Sequence, residues 1–175
     1  MQYPAAIQYL FSFINFERLS FHYQRELNPK RMHRLLDWFD HPERNFEAVL
    51  IAGTKGKGST ASFLAAILST HGYVTGLYTS PHLTDPRERI QLNGRMISRR
   101  EFAEIMTKIR PVIEKRKREI AKDGLITFFE VFTLLAILYF AVKKAHFGIF
   151  EVGSSSIGFS YRSKSRSTLL STSNT

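Results

Sequence analysis

The stretch of sequence that decides the fold reads Gly53-Thr54-Lys55-Gly56-Lys57-Gly58-Ser59. An apolar run, Val49 to Ala52, precedes it, and a run with helical character, Thr60 to Leu68, follows it. Glycines allow a tight turn whose backbone N–H groups point at phosphate oxygens. A helix that starts there adds the partial positive charge of its N-terminus. The order of strand, glycine-rich turn and helix therefore predicts a phosphate-binding loop.

Two side chains of this loop suit a nucleoside triphosphate. Lys57 is placed to reach the terminal phosphates, and Ser59 to face the magnesium ion that accompanies them. The alternative is an ordinary glycine-rich connection with an incidental lysine, which the two flanking elements disfavour. We therefore expect residues 53–59 to bind ATP with Mg²⁺.

Composition limits the class of protein. A chain of 175 residues with 43% hydrophobic residues is typical of one globular domain with a sizeable core. The absence of cysteine excludes disulfides and thiolate metal sites, and suits a reducing compartment. The first residues lack the basic start of a secretory signal, and the longest apolar run, 131–142, is far shorter than the ~20 residues of a membrane span. We expect a cytoplasmic protein with no membrane partner.

The formal net charge of +10 has two explanations. It is typical of a nucleic-acid-binding protein, and it would equally attract small anionic substrates. The cationic residues are spread along the chain, and residues 115–118 resemble the solvated face of a helix. We favour small anionic substrates and expect no nucleic-acid partner.

Hydrophobic periodicity and turn residues predict an α/β fold. The predicted strands are residues 48–52, 74–79 and 146–152. Two helices are predicted before the first strand, at residues 3–16 and 29–39, and a third runs from the loop to about Thr70. A charged helix is predicted after Ser98, with a break or kink at Pro111. An apolar helix is predicted to begin at Thr127. Residues 80–97 are expected to form a long connection with a turn at Asn93-Gly94. Strands separated by helices predict a parallel sheet with ligands at the carboxyl ends of its strands.

The loop departs from the general phosphate-loop pattern, because Gly58 stands between Lys57 and Ser59. This spelling resembles the loop of the Mur-ligase superfamily. Within it, the chain resembles the folylpolyglutamate synthase/dihydrofolate synthase family from about Met1 to Gly153. Four further segments carry the resemblance: Tyr78-Thr79-Ser80-Pro81-His82-Leu83, Arg87-Glu88-Arg89-Ile90, Leu125-Ile126-Thr127-Phe128-Phe129-Glu130 and Ile149-Phe150-Glu151-Val152-Gly153.

The resemblance implies a parallel sheet of the P-loop NTPase type, the central domain of Mur ligases. Residues 1–153 would be the N-terminal part of that ATP-binding domain. Residues 154–175 are rich in serine, lack acidic residues and do not match the family's continuation. We expect them to be a disordered tail, the product of a truncated or frame-shifted gene, with a genuine alternative ending as the other explanation. The sheet would then be incomplete, with an open edge.

The resemblance also assigns two magnesium ligands, Ser80 and Glu151. A serine hydroxyl is a weak ligand, acceptable to a hard ion that phosphate oxygens already hold. Glu151 ends an apolar strand beside the loop, where a magnesium-binding carboxylate is expected on residue grounds as well. The alternatives are a turn serine before a proline and a charge at the exit of a strand.

A second set of residues is implied in binding the pterin ring of the substrate. Thr127, Phe128, Phe129 and Glu130 would form part of its pocket, with one phenylalanine stacked on the ring. Locally the same residues form a helix-capping box, and the two interpretations are compatible.

The resemblance places three weaker candidates for the substrate site in a loop near the substrate. These are Arg87, Glu88 and Arg89. For His82, in the preceding segment, we expect a structural role rather than that of a base.

The implied reaction is ATP-driven amide bond formation. A carboxylate of folate or dihydropteroate attacks the γ-phosphorus of ATP, and the amine of L-glutamate attacks the resulting acyl phosphate. Lys57 would stabilise charge during phosphoryl transfer. The alternatives are another Mur-type ligase and a non-catalytic nucleotide-binding module. The family is usually monomeric, whereas this chain is expected to self-associate and, without a glutamate-binding domain, not to complete the reaction.

Overall fold

The computed structural model describes residues 1–15, 29–121, 124–151 and 167–172. Within these ranges the helices are α1 (Tyr3–Phe11), α2 (Pro29–Asp37), α3 (Lys57–Thr70), α4 (Arg99–Ile120) and α5 (Phe128–Val142). The strands are β1 (Glu47–Gly53), β2 (Thr75–Tyr78), β3 (Ile90–Leu92), β4 (Arg95–Met96), β5 (Phe147–Glu151) and β6 (Ser167–Thr172). Short 3₁₀ turns cover Pro42–Asn45 and Pro86–Arg89.

The six strands form one sheet in the order β4-β3-β2-β5-β1-β6. Strands β1, β2, β5 and β6 run parallel, which confirms the predicted α/β fold with a parallel sheet. Their carboxyl ends therefore meet at one edge of the sheet, where ligands of such folds bind. Each of the three predicted strands is found within one residue of its expected ends, and α3 runs to Thr70 as expected.

The connection after β2 contains two strands that the sequence did not predict. Strand β3 pairs antiparallel with β2, and β4 pairs antiparallel with β3. The predicted turn at Asn93-Gly94 joins β3 to β4, with positive φ at both residues, as a tight hairpin turn requires. Strands of three and two residues are too short to give a periodic signal, so only their turn was visible in the sequence.

Of the break or kink predicted at Pro111, helix α4 shows no break. The helix continues from Arg99 to Ile120. Its apolar side is buried on both sides of the proline, with Met106, Ile109 and Ile113 each 0% exposed. Burial of this side offsets the hydrogen bond that the proline removes.

Strand β6 differs from the expectation of a disordered tail and an open sheet edge. It pairs in parallel with β1, from Ala48 opposite Ser167 to Gly53 opposite Thr172. The N–H and C=O groups on the free edge of β1 offer a template for a strand, and threonine is a residue that favours strands. The expected boundary at Gly153 and residues 154–166 and 173–175 lie outside the described residues.

The two faces of the sheet are covered by different helices. Alternate residues of β1 point to opposite faces, so Leu50 joins the larger core with α5, whereas Ile51 joins a smaller core with α3. Ala61 and Ala65 of α3 are buried in that smaller core. The small alanine side chains allow α3 to lie close to the sheet, which fixes the loop between β1 and α3.

Candidate functional site

The predicted phosphate loop connects the end of β1 to the start of α3. Gly56 is the N-cap of α3 and has φ of +74°, a conformation that glycine adopts without strain. The first intrahelical bond runs from the Thr60 N–H to the Gly56 carbonyl, at 2.9 Å. Because a glycine N-cap carries no side chain, the first N–H groups of α3 remain suited to an anion. Lys57 is half-buried in this first turn, and Ser59 is exposed.

The two predicted magnesium ligands lie next to each other. Glu151 is the last residue of β5, and Ser80 follows the neighbouring strand β2 by two residues. The backbone N–H of Ser80 donates a hydrogen bond to Glu151 Oε2 at 3.2 Å. The structure therefore brings together two residues that are 71 positions apart in the sequence.

Glu151 also lies against the first turn of α3. A Cβ atom added to Gly58 would be 3.4 Å from Glu151 Oε2. The extra glycine between Lys57 and Ser59 therefore leaves room for the carboxylate beside the start of the helix. Sequence reasoning noted the unusual glycine but not this reason for it, because the approach of β5 to α3 is a tertiary contact.

This arrangement fits a magnesium ion that is held mainly by a nucleotide. The described residues contain no group of three or more His, Asp or Glu side chains that could hold a metal ion on their own. Mg²⁺ usually takes one or two carboxylates together with water and substrate phosphates. The Glu151 carboxylate, beside Ser80 and the first turn of α3, is an oxygen ligand of that kind.

The capping box at the start of α5 is present as predicted. The Thr127 N–H and hydroxyl donate to Glu130 Oε2 at 2.9 and 3.0 Å, and the Glu130 N–H donates back to Thr127 Oγ1 at 3.2 Å. Glu130 Oε1 accepts from Arg31 Nε at 2.9 Å. Burial raises the pKa of Glu130, although Arg31 opposes the shift. Both oxygens of Glu130 are thus engaged inside the protein.

The two phenylalanines of this segment have different surroundings. Phe128 is 0% exposed, and its ring packs 5.3 Å from that of Phe11. Phe129 is only half-buried, and its ring centroid is 6.2 Å from that of Tyr78. Tyr78 ends β2, two residues before Ser80. Phe129 is therefore the phenylalanine with free surface beside the edge that carries Ser80 and Glu151.

The loop after Ser80 is organised by Glu88. Its carboxylate accepts hydrogen bonds from the backbone N–H groups of Leu83, Thr84 and Asp85, at 2.7, 3.1 and 2.8 Å. These bonds hold the pKa of Glu88 at about 2. The carboxylate thus acts as a structural anchor of the loop.

The two arginines beside Glu88 are also engaged within the protein. Arg87 forms an ion pair with Asp85 at 2.6 Å. Arg89 is 1% exposed and donates from Nε to His82 Nδ1 at 2.8 Å. This bond makes Nδ1 an acceptor, in keeping with the structural role expected for His82.

Proteins with curated functions resemble this chain over most of its length. It is 40% identical over 124 residues to a dihydrofolate synthase/folylpolyglutamate synthase of Bacillus subtilis, which covers 70% of the chain. It is 38% identical over 112 residues to a folylpolyglutamate synthase of Arabidopsis thaliana. The chain is homologous to the folylpolyglutamate synthases. It spans 28% of the Bacillus protein and 17% of the Arabidopsis one. No protein-family model matches it.

Solved structures of folylpolyglutamate synthases share the fold. The enzyme of Thermotoga maritima superposes with a TM-score of 0.74 and 32% identity, over 86% of this chain and 32% of that one. A folylpolyglutamate synthase complex with AMPPCP and folate gives a TM-score of 0.76 and 27% identity, over 92% of this chain and 38% of that one. The Mycobacterium tuberculosis synthase complexed with ADP gives 0.74 and 27%, over 86% of this chain and 32% of that one.

Proposed function

We propose that the chain forms the MgATP-binding part of a ligase that adds L-glutamate to folate. The hydrogen bond between Ser80 and Glu151, made beside the first turn of α3, is the observation that supports it most directly. It gathers a carboxylate and two hydroxyl-bearing residues at a helix N-terminus that follows a glycine-rich loop. The named nucleotide complexes of the homologues add support for ATP.

In this proposal each residue of the site has a defined part. The N–H groups of residues 53–59 and the Lys57 ammonium hold the phosphates, which is most of what phosphoryl transfer requires. Glu151 and Ser80, with Ser59, hold the magnesium ion. Bound magnesium would neutralise charge on the phosphates. A carboxylate of folate, or of dihydropteroate in a dihydrofolate synthase, is the acceptor that forms the acyl phosphate.

Phe129 is proposed to offer the flat surface of the pterin pocket. Its half-buried side chain contacts Tyr78, beside the edge that holds Ser80. Phe128 is buried, and Thr127 and Glu130 are bonded to each other, so we assign these three residues to holding the pocket wall in place.

A nucleotide-binding module without ligase activity is the second candidate. The observation in its favour is that the residues gathered at the site, namely the loop with Ser80 and Glu151, are those that nucleotide binding by itself requires. A glutamate-addition assay with purified chain, folate, ATP and Mg²⁺ separates the two.

The described helices include none that is long and apolar enough to cross a bilayer. A cytoplasmic location, self-association and the absence of nucleic-acid partners stay predictions.

Calorimetric titration with Mg·AMPPCP tests the nucleotide site. We expect Lys57→Ala to weaken binding by about tenfold or more, roughly 1.4 kcal/mol or above. The matched control is Lys108→Ala, which removes the same charge from an exposed position on α4. Equal affinities for wild type and Lys57→Ala would refute the assignment of the loop.

A further inference from the structure

Arg31, in the first turn of α2, is a buried cation for which the proposed reaction has no use. Its side chain is 2% exposed. A charged group in the protein interior is costly unless it is paired and hydrogen-bonded. Its Nε donates to Glu130 Oε1 at 2.9 Å, an ion pair between residues 99 positions apart. A buried pair between such distant residues fixes the position of α2 relative to α5.

The ion pair determines where the first turn of α5 lies. Glu130 Oε1 is held by Arg31, while Oε2 caps the helix through the N–H and hydroxyl of Thr127. A carboxylate is planar and rigid, so fixing one oxygen also fixes the direction of the other. The cap at the start of α5 is thus oriented from α2.

The same guanidinium lies against the chain that leads into α5. A Cβ atom on Gly124 would be only 2.7 Å from Arg31 Nη1. Gly124 also has φ of +98°, which disfavours any other residue. Arg31 therefore contacts α5 at its cap and at the segment three residues before Thr127.

The residue that this contact positions is Phe129. It is the second residue of α5, and its half-buried side chain lies against Tyr78 at the end of β2. Shifts of about 1 Å in a group that orients a ligand cost binding or rate severely. The orientation of this ring thus depends on the anchoring of the first turn of α5.

We propose that Arg31 is a positioning residue for substrate: through Glu130 it holds Phe129 in the orientation that stacks on the flat ring of folate. The inference rests on the proposed function, because it is the proposed function that identifies the flat ring as that of folate. Lysine cannot replace Arg31 here, because one ammonium cannot bond to Glu130 and fill the space over Gly124 together.

Fluorine NMR tests the positioning directly. With 4-fluorophenylalanine at position 129 the protein gives one ¹⁹F resonance. We expect Arg31→Lys and Arg31→Met to shift or broaden it. The matched control is Arg34→Met on the same helix, which removes a bond to the Glu119 carbonyl of α4 and should leave the resonance unchanged. An unchanged resonance in both Arg31 variants would overturn the proposal, as would an equal change in the control.

Ligand titrations test the consequence. Arg31→Lys should weaken folate binding by about fivefold or more, while Mg·AMPPCP affinity stays within about twofold of wild type. A purely structural role would lower both affinities together, and that result refutes the inference, as does unaltered folate binding. If the wild-type chain binds Mg·AMPPCP but no folate, the substrate part of the proposed function fails and the substrate role of Arg31 fails with it, and the ¹⁹F resonance then shows only whether Arg31 orients Phe129.

Discussion

Glu151 Oε2 accepts a hydrogen bond from the backbone N–H of Ser80 at 3.2 Å, across the carboxyl ends of two adjacent parallel strands. The sequence predicts that these two residues approach each other, and the hydrogen bond confirms it. Their shared role in holding magnesium stays a prediction.

Replacing Glu151 by glutamine should remove most of the magnesium dependence of nucleotide binding. The amide keeps the size of the side chain but lacks the charge that attracts a hard cation. We expect the gain in AMPPCP affinity on adding Mg²⁺ to fall by about tenfold or more. Calorimetric titrations with and without Mg²⁺ measure it. Glu104→Gln, an exposed change of the same kind on α4, is the control, and the same magnesium gain in Glu151→Gln as in wild type would contradict the metal role.

Gly58→Ala should weaken Mg·AMPPCP binding by several-fold without unfolding the protein. The new methyl group would lie 3.4 Å from Glu151 Oε2, at the short end of van der Waals contact, and would place an apolar group directly against the carboxylate. Alanine is otherwise favourable in a helix, by roughly 1 kcal/mol over glycine. Thermal unfolding followed by circular dichroism should therefore show no loss of stability. Unchanged affinity would mean that the position of Glu151 is not critical for the ligand.

Glu88 should make the loop after Ser80 sensitive to acid. Its pKa in the folded protein is about 2, below the ordinary 4.5, so the carboxylate stabilises the fold above pH 4.5 and loses that effect as the pH falls towards 2. In Glu88→Gln, the N–H groups of Leu83, Thr84 and Asp85 should exchange faster with solvent at neutral pH. Hydrogen exchange measured between pH 7 and 5 checks this, since wild type should stay protected there. Equal exchange in the variant would disprove the anchoring role.

Thr127→Ala should lower the free energy of unfolding by about 1–2 kcal/mol, the upper part of the range for lost helix caps. Thr127 is 1% exposed, so water cannot replace its hydroxyl, which donates to the Glu130 carboxylate and accepts from the Glu130 N–H. Ser98→Ala removes the equivalent cap of α4 at an exposed position and should cost less. Urea denaturation of both variants gives the comparison. A larger loss for Ser98→Ala would show that burial does not strengthen the Thr127 cap.

Sequence reasoning succeeded where the signal is local. The strand before the loop, the loop, α3 and the capping boxes at Ser98 and Thr127 each depend on residues that lie within a few positions of one another. The approach of Ser80 to Glu151 also followed, because the carboxyl ends of adjacent parallel strands necessarily lie side by side.

The features that were missed depend on tertiary contacts. Nothing near Arg31 signals a partner 99 residues away, and nothing near Gly58 signals the carboxylate of Glu151. Pro111 was expected to break or kink α4, and the absence of a break could not be foreseen, because the burial of its neighbours is not visible in the sequence. Strands β3 and β4 were missed because they consist of three and two residues.

The place of β1 in the sheet has a consequence for how the chain folds. Strand β1 pairs with β5 and β6, both of which come roughly 90 residues or more later in the sequence. At 5–20 residues per second, a ribosome needs on the order of ten seconds to supply them. During that time the strand that leads into the phosphate loop has neither neighbour and is exposed to wrong pairing. We therefore expect slow folding, with the nucleotide site among the last parts to form.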